Sequence, residues 1–154
     1  MKELDQTDLK ILAFLQKDAR MTNKELAARL DLSITPVFER IKKLERKGYI
    51  QKYTAVLDAE KVNRGLIVFL TIRMAQHRKD LIQKLEEMVK NLPEIMECYH
   101  LAGEDDYLLK VMVKDMQAYQ QFVVNKLISI ENVGHVNSHF VMSVVKSETE
   151  LFLG

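Results

Sequence analysis

The chain has one cysteine, two prolines, five glycines and no tryptophan in 154 residues. A lone cysteine, Cys98, excludes an intramolecular disulfide and fits a reducing compartment, so the sequence predicts a cytoplasmic protein. Few glycines and prolines leave little room for long loops. No apolar run approaches the roughly 20 residues of a membrane helix, so no membrane partner is expected. The first 20 residues alternate charge with Leu and Ile, unlike a signal peptide. There is no Walker loop, no Gly-x-Gly-x-x-Gly and no usable Ser-His-Asp order, so neither an enzyme nor a cofactor is expected.

What is present is a charge asymmetry. Up to Gly65 there are 14 Lys and Arg against 10 Asp and Glu, a net of +4; the remainder carries 9 against 12, a net of −3. A basic front and a mildly acidic rear suggest different tasks.

The front reads as three helices and a strand. DQTDLKILAFLQKDA has Asp5 as cap, Asp8 in the positive first turn and a stripe of Leu9, Leu12 and Leu15 with Ile11. Thr22 and Glu25 form a capping box for a short second helix. Asp31-Leu32-Ser33 is a tight link. At 100° per residue, Ile34, Val37, Ile41 and Leu44 of the third helix share a sector of about 80°, the expected buried stripe. Its start is open: either Ser33 caps it with Pro36 in the first turn, or Thr35 caps it with Pro36 leading. Gly48 ends it, and YIQKYTAVLD then alternates as a strand. A short helix, tight turn, outward basic helix and strand describe a winged helix-turn-helix.

The third helix faces outward with Thr35, Glu39, Lys42, Lys43 and Arg46, and with Pro36 and Arg40 to one side. Double-stranded DNA is the expected partner. Thr35, Pro36 and Glu39 lie where a recognition helix reaches base edges. Glu39 either accepts from a cytosine amino group or orients Arg40 or Lys43. Arg40, Lys42, Lys43 and Arg46 are expected on phosphate, with Ser33 and Lys52 as additions. A solvated charged face that binds nothing is the alternative. So is a front half that binds protein, which would retard no DNA at low salt.

The rear reads as βαββαβ, a ferredoxin-like order, making the chain α+β. The elements are GLIVFLTIRM, RKDLIQKLEEMVKNL, EIMECYHLA, YLLKVMVK, DMQAYQQFVVNKLISI and VGHVNSHFVMSVVK. Leu81, Leu85, Met88 and Leu92 form the apolar side of the first helix, and Met116, Tyr119, Val123 and Leu127 that of the second. Two helices cover one sheet face only. Val68, Phe69, Leu70 and Ile72, with Leu108, Met112, Phe140, Met142 and Val144, leave no clean polar alternation for the other. A second copy of the chain is the expected cover, giving a homodimer that presents two recognition helices. Small αβ dimers of this type sometimes catalyse, but only the acidic turn Gly103-Glu104-Asp105-Asp106 offers acid–base groups.

Cys98 and His100 share a strand face, as do His135 and His139. The strands carrying them are expected at opposite sheet edges, so no metal site is expected within one chain.

These residues resemble the Lrp/AsnC, or feast/famine, family of transcriptional regulators. The match runs through Asp8, Ile11 and Leu12, then Leu32 and Ser33, then Arg40, Ile41, Leu44 and Glu45. It resumes at Gly103, Asp106 and Tyr107. Residue 105, usually aromatic or histidine in the family, is Asp105 here. The resemblance implies three segments: a DNA-binding domain at 1–58, a linker at 59–65 and an oligomerisation and effector domain at 66–154. It also implies assembly to tetramers or octamers, and modulation by an amino acid or related molecule at Gly103, Glu104, Asp105 and Asp106. In such a site Asp106 would take the ligand's ammonium and backbone N–H groups near Gly103 its carboxylate. The acidity of the turn favours lysine or arginine over an aliphatic amino acid. The alternatives are a divalent ion, or a purely structural turn with Gly103 permitting it and Asp106 capping it.

Overall fold

The computed structural model describes residues 4–153. The chain forms two compact units, one running up to Val56 and rejoined by residues from Lys146 on, the other Leu57–Val145.

The first unit holds α1 (Gln6–Lys17), α2 (Asn23–Leu30) and α3 (Ile34–Arg46). Asp5 caps α1 in a capping box closed by Asp8, and Thr22 caps α2 in a box closed by Glu25. Asp31 ends α2 in the left-handed region, at φ 54°, which makes the link to α3 tight. Ser33 occupies the cap position of α3, so Pro36 sits inside the first turn where its missing N–H costs nothing. Ile11, Leu26, Val37, Ile41 and Leu44 form the core, with Leu12, Leu15 and Ile50 packed against it. Ile34, expected in that stripe, is half exposed on the first turn of α3. Gly48 takes φ 75° and closes α3 through bonds from its own N–H to Glu45 and from Tyr49 to Leu44.

The strand expected after Gly48 is not formed. Residues 51–58 are exposed and carry no ladder. The alternation is there, but a strand exists only with a partner, and no described segment pairs with it. Residues 146–153, expected to close the second domain, group with the first unit instead. The Gln16 side-chain amide donates to the Leu151 carbonyl at 3.1 Å and accepts from its N–H at 2.7 Å.

The second unit holds β1 (Leu66–Met74), α4 (Lys79–Lys90), β2 (Ile95–His100), β3 (Tyr107–Val113), α5 (Met116–Phe122) and β4 (Val133–Phe140). The sheet is antiparallel in the order β2-β3-β1-β4, the ferredoxin-like arrangement, with β2 and β4 at opposite edges. The expected second helix divides: α5 passes into a π-helical turn, Val123–Leu127, where the Ile128 N–H reaches Val123 rather than Val124. Buried Val68, Leu70, Ile72 and Met74 of β1 and alternate residues Tyr107 to Val113 of β3 meet Leu85, Val89, Tyr119, Phe122 and Leu127. Met88 and Met116, expected inward, are exposed, and Val89 and Phe122 take the buried positions.

Pleating sorts the sheet more sharply than the apolar content suggested. Val68, Leu70 and Ile72 lie beneath the helices, as does Phe140, which pairs with Val68 and meets the Tyr119 ring edge-on at 5.1 Å. The other face carries partly buried Ile67, Phe69, Leu108 and Met112. Thr71 stands among them, its hydroxyl buried without a hydrogen-bond partner among the described residues. Met142 and Val144 lie beyond β4 and are exposed.

Candidate nucleic-acid interface and effector turn

The outer side of α3 separates into free and engaged groups. Ser33, Thr35, Pro36 and Glu39 are all exposed on the first two turns. The Ser33 hydroxyl makes no capping bond, so it is available. Arg46 is exposed at the end of the helix with no ion pair among the described residues, and Lys52 is exposed in the following segment. Lys47, which sequence reasoning left off the candidate set, is equally exposed beside Arg46. The signal for it was available: it follows Arg46 directly, before the Gly48 stop.

Arg40 departs from expectation. Its guanidinium donates to Asp8 at 2.7 Å and to Asp5 at 2.6 Å. The Asp8 side chain is only 1% exposed, so this pair ties α1 to α3 rather than reaching outward. The two carboxylates hold the Arg40 guanidinium above its ordinary pKa, the Asp5 hydrogen bond being the larger cause. Asp5 in turn is lowered, first by the Asp8 N–H and then by Arg40. Lys43 leans on the same Asp8 at 3.5 Å but remains partly open. Spacing alone placed Arg40 at the margin of the outer face. Its partner 32 residues away was invisible to a helical wheel.

Lys42 is also engaged. Its ammonium is 2.8 Å from Glu45 and lies over the Phe38 ring at 5.8 Å from the centroid.

In the second unit, the turn Gly103–Asp106 follows β2. Asp106 is largely buried, with both carboxylate oxygens taken: Oδ2 accepts from the Met74 N–H and Oδ1 meets His77 Nε2, each at 2.7 Å. Burial pushes its carboxyl up, but the Met74 amide and His77 together hold it below its ordinary value. Asp106 is therefore anchored in the fold through both oxygens. Glu104 is exposed and paired with Arg73 at 2.7 Å, and its carbonyl accepts from the same guanidinium. Asp105 is partly exposed and has no side-chain partner among the described residues. Gly103 is exposed, its φ is not positive, and a Cβ there would meet nothing within 4 Å. Neither the turn nor local packing requires a glycine at that position.

Cys98 and His100 share the helix side of β2, where His100 stacks on Tyr107 at 4.7 Å. His135 and His139 lie on the opposite edge strand and the opposite face. Among the described residues no His, Cys, Asp or Glu group of three or more can hold a metal ion.

Residues 4–51 match the winged helix-turn-helix DNA-binding family, and residues 67–151 match the Lrp/AsnC ligand binding domain. The chain is 40% identical over 152 residues to the leucine-responsive regulatory protein of Escherichia coli K12, covering 99% of this chain and 93% of that one. It is 39% identical over 145 residues to the Bkd operon transcriptional regulator of Pseudomonas aeruginosa, covering 94% and 95%. A transcriptional regulator from Neisseria meningitidis, solved in complex with L-methionine, superposes with a TM-score of 0.93 at 40% identity, covering 98% and 97%.

Proposed function

The chain belongs to the Lrp/AsnC family of transcriptional regulators, a DNA-binding regulator with an effector domain and not an enzyme, and from that premise we propose which of its residues meet DNA, effector and a second copy. The start of α3, Ser33, Thr35, Pro36 and Glu39, enters the major groove. Arg46, Lys47, Lys43 and Lys52 lie on phosphate, and Arg40 instead holds α3 at its angle to α1. The observation that carries this is the separation of Arg40, held at 2.7 Å on Asp8, from the exposed, unpaired Arg46, Lys47 and Lys52, with Lys43 between them at 3.5 Å from Asp8 and still partly open. Each phosphate contact releases counterion, so Arg46→Ala and Lys47→Ala should each flatten the salt slope of binding by about one unit. Unchanged slopes in both would put another face on DNA.

The open sheet face joins two copies. Ile67, Phe69, Leu108 and Met112 supply the apolar area, and Thr71 waits there with an unmade bond. Light scattering on the full chain should find no monomer at micromolar concentration. Tetramers or octamers then require contacts elsewhere, and the bare Gly103 turn suits a close approach by a neighbour or its ligand. The effector is an amino acid with a cationic side chain: Asp105 takes positive charge, while Asp106 holds the turn. Calorimetry separates lysine and arginine from leucine and methionine. Tight leucine binding without a lysine response would refute the charge argument. The protein acts in the cytoplasm, where DNA is and a lone thiol stays reduced.

A further inference from the structure

Three groups form a chain across the flank of α3. Lys42 Nζ lies 2.8 Å from Glu45 Oε2, and the Tyr53 hydroxyl donates to Glu45 Oε1 at 3.1 Å. Tyr53 stands in the extended segment after Gly48 that forms no strand. It lines a cavity of about 210 Å³ with Leu15, Met21, Phe38, Ile41 and Glu45. Nothing in the helix itself needs this arrangement. Glu45 sits near the C-terminal end of α3, where the macrodipole disfavours a carboxylate. Lys42 folds toward Glu45 and over Phe38, whereas Arg46 is exposed with no ion pair among the described residues.

We propose that Glu45 is an internal competitor for the DNA backbone, holding Lys42 against the flank of α3, with Tyr53 holding Glu45 in place. Phosphate must displace a carboxylate before Lys42 contributes. The ammonium is then withheld from loosely seated DNA and released only in a well-seated complex, which lowers non-specific affinity and widens the specificity ratio. The ionisation states suit the arrangement. Glu45 is held below its ordinary pKa, chiefly by Lys42 and, against burial, also by Tyr53. Tyr53 is pushed up to about 12 by burial and by Glu45, so it remains a donor.

The inference rests on α3 facing DNA, and the test separates the two. Full-length protein is titrated with mixed-sequence double-stranded DNA between about 50 and 200 mM salt. Glu45→Gln should tighten binding several-fold at the low end and steepen the salt slope by about 0.9, the value of one phosphate contact. The gain should vanish when Lys42→Ala is added, whereas Lys42→Ala alone should change little. Tyr53→Phe, which keeps every charge, should move binding in the same direction by less, again only while Lys42 is present. Should Glu45→Gln fail to fold, the Tyr53→Phe and Lys42→Ala cycle carries the test. A gain that persists without Lys42 would show only the removal of a negative charge and would overturn the proposal. So would no gain in either variant. Failure of the α3 reading looks different: Arg46→Ala and Lys47→Ala would then also leave the slope unchanged.

Discussion

Asp8 and Asp106 are both acids that the family pattern singles out, and each is nearly enclosed in its own unit. Asp8 is met by Arg40 and Lys43 of α3, two charged groups from another helix. Asp106 is met by a backbone N–H at the end of β1 and by the exposed imidazole of His77. The first acid fixes the angle between two helices. The second fixes where a turn leaves the sheet, helped by the Asp106 N–H bonded to Ile72. A motif acid can thus be a buttress in either unit, while the residues that meet partners stand beside it. Thr35 and Arg46 are proposed for that role in one unit, and Asp105 in the other.

Removing each buttress should separate them. Asp8→Ala strands Arg40 and Lys43 and should cost the first unit about 2–3 kcal/mol, less than the roughly 3–5 of a fully enclosed pair because Arg40 keeps some water. Thermal or urea unfolding measures it. Arg40→Ala should lose DNA binding together with this stability, whereas Arg46→Ala should lose binding alone. An Arg40→Ala variant of full stability and weak binding would reverse the assignment.

Asp106→Ala leaves the Met74 N–H without its acceptor and should cost about 1–3 kcal/mol in the second unit. Asp106→Asn keeps an acceptor and should cost less. The pH dependence follows from the lowered carboxyl. A folded value below the ordinary one contributes stability that is complete above about pH 4 and fades as pH falls through the folded value. Acid titration of unfolding should lose that component in Asp106→Asn. An unchanged acid limb would mean that the Met74 and His77 contacts do not hold in solution.

Much of this was readable from the sequence because it is local. The cap at Asp5, the capping box at Thr22, the stop at Gly48 and the order of strands and helices depend on neighbours within one or two turns. What escaped depends on distance or on partners. The pairing of Arg40 was invisible because Asp8 lies on another helix. Phe140 and Val68 were put on the open face because apolar content was counted without the pleat. Residues 51–58 alternate like a strand but pair with nothing among the described residues. Asp106 offered a free carboxylate in sequence, and Met74 and His77 use it.

The smallest effect on stability should come from Asp105, and it sharpens the comparison most. Asp105 and Asp106 are adjacent acids of the same type, yet one is spent on the fold and the other has no partner among the described residues. Asp105→Asn changes no contact, so unfolding should shift by less than about 0.5 kcal/mol, as surface substitutions do. If the turn takes the cationic end of an amino acid, the same substitution should weaken lysine or arginine binding at least tenfold in calorimetry. Removing a charge-assisted hydrogen bond, worth about 1.5–3 kcal/mol, corresponds to that loss or more. Glu104→Gln should do less, because Glu104 already pairs with Arg73. Lysine binding that survives Asp105→Asn but disappears in Asp106→Asn at full stability would exchange the two roles, making the anchored acid the one that meets the ligand.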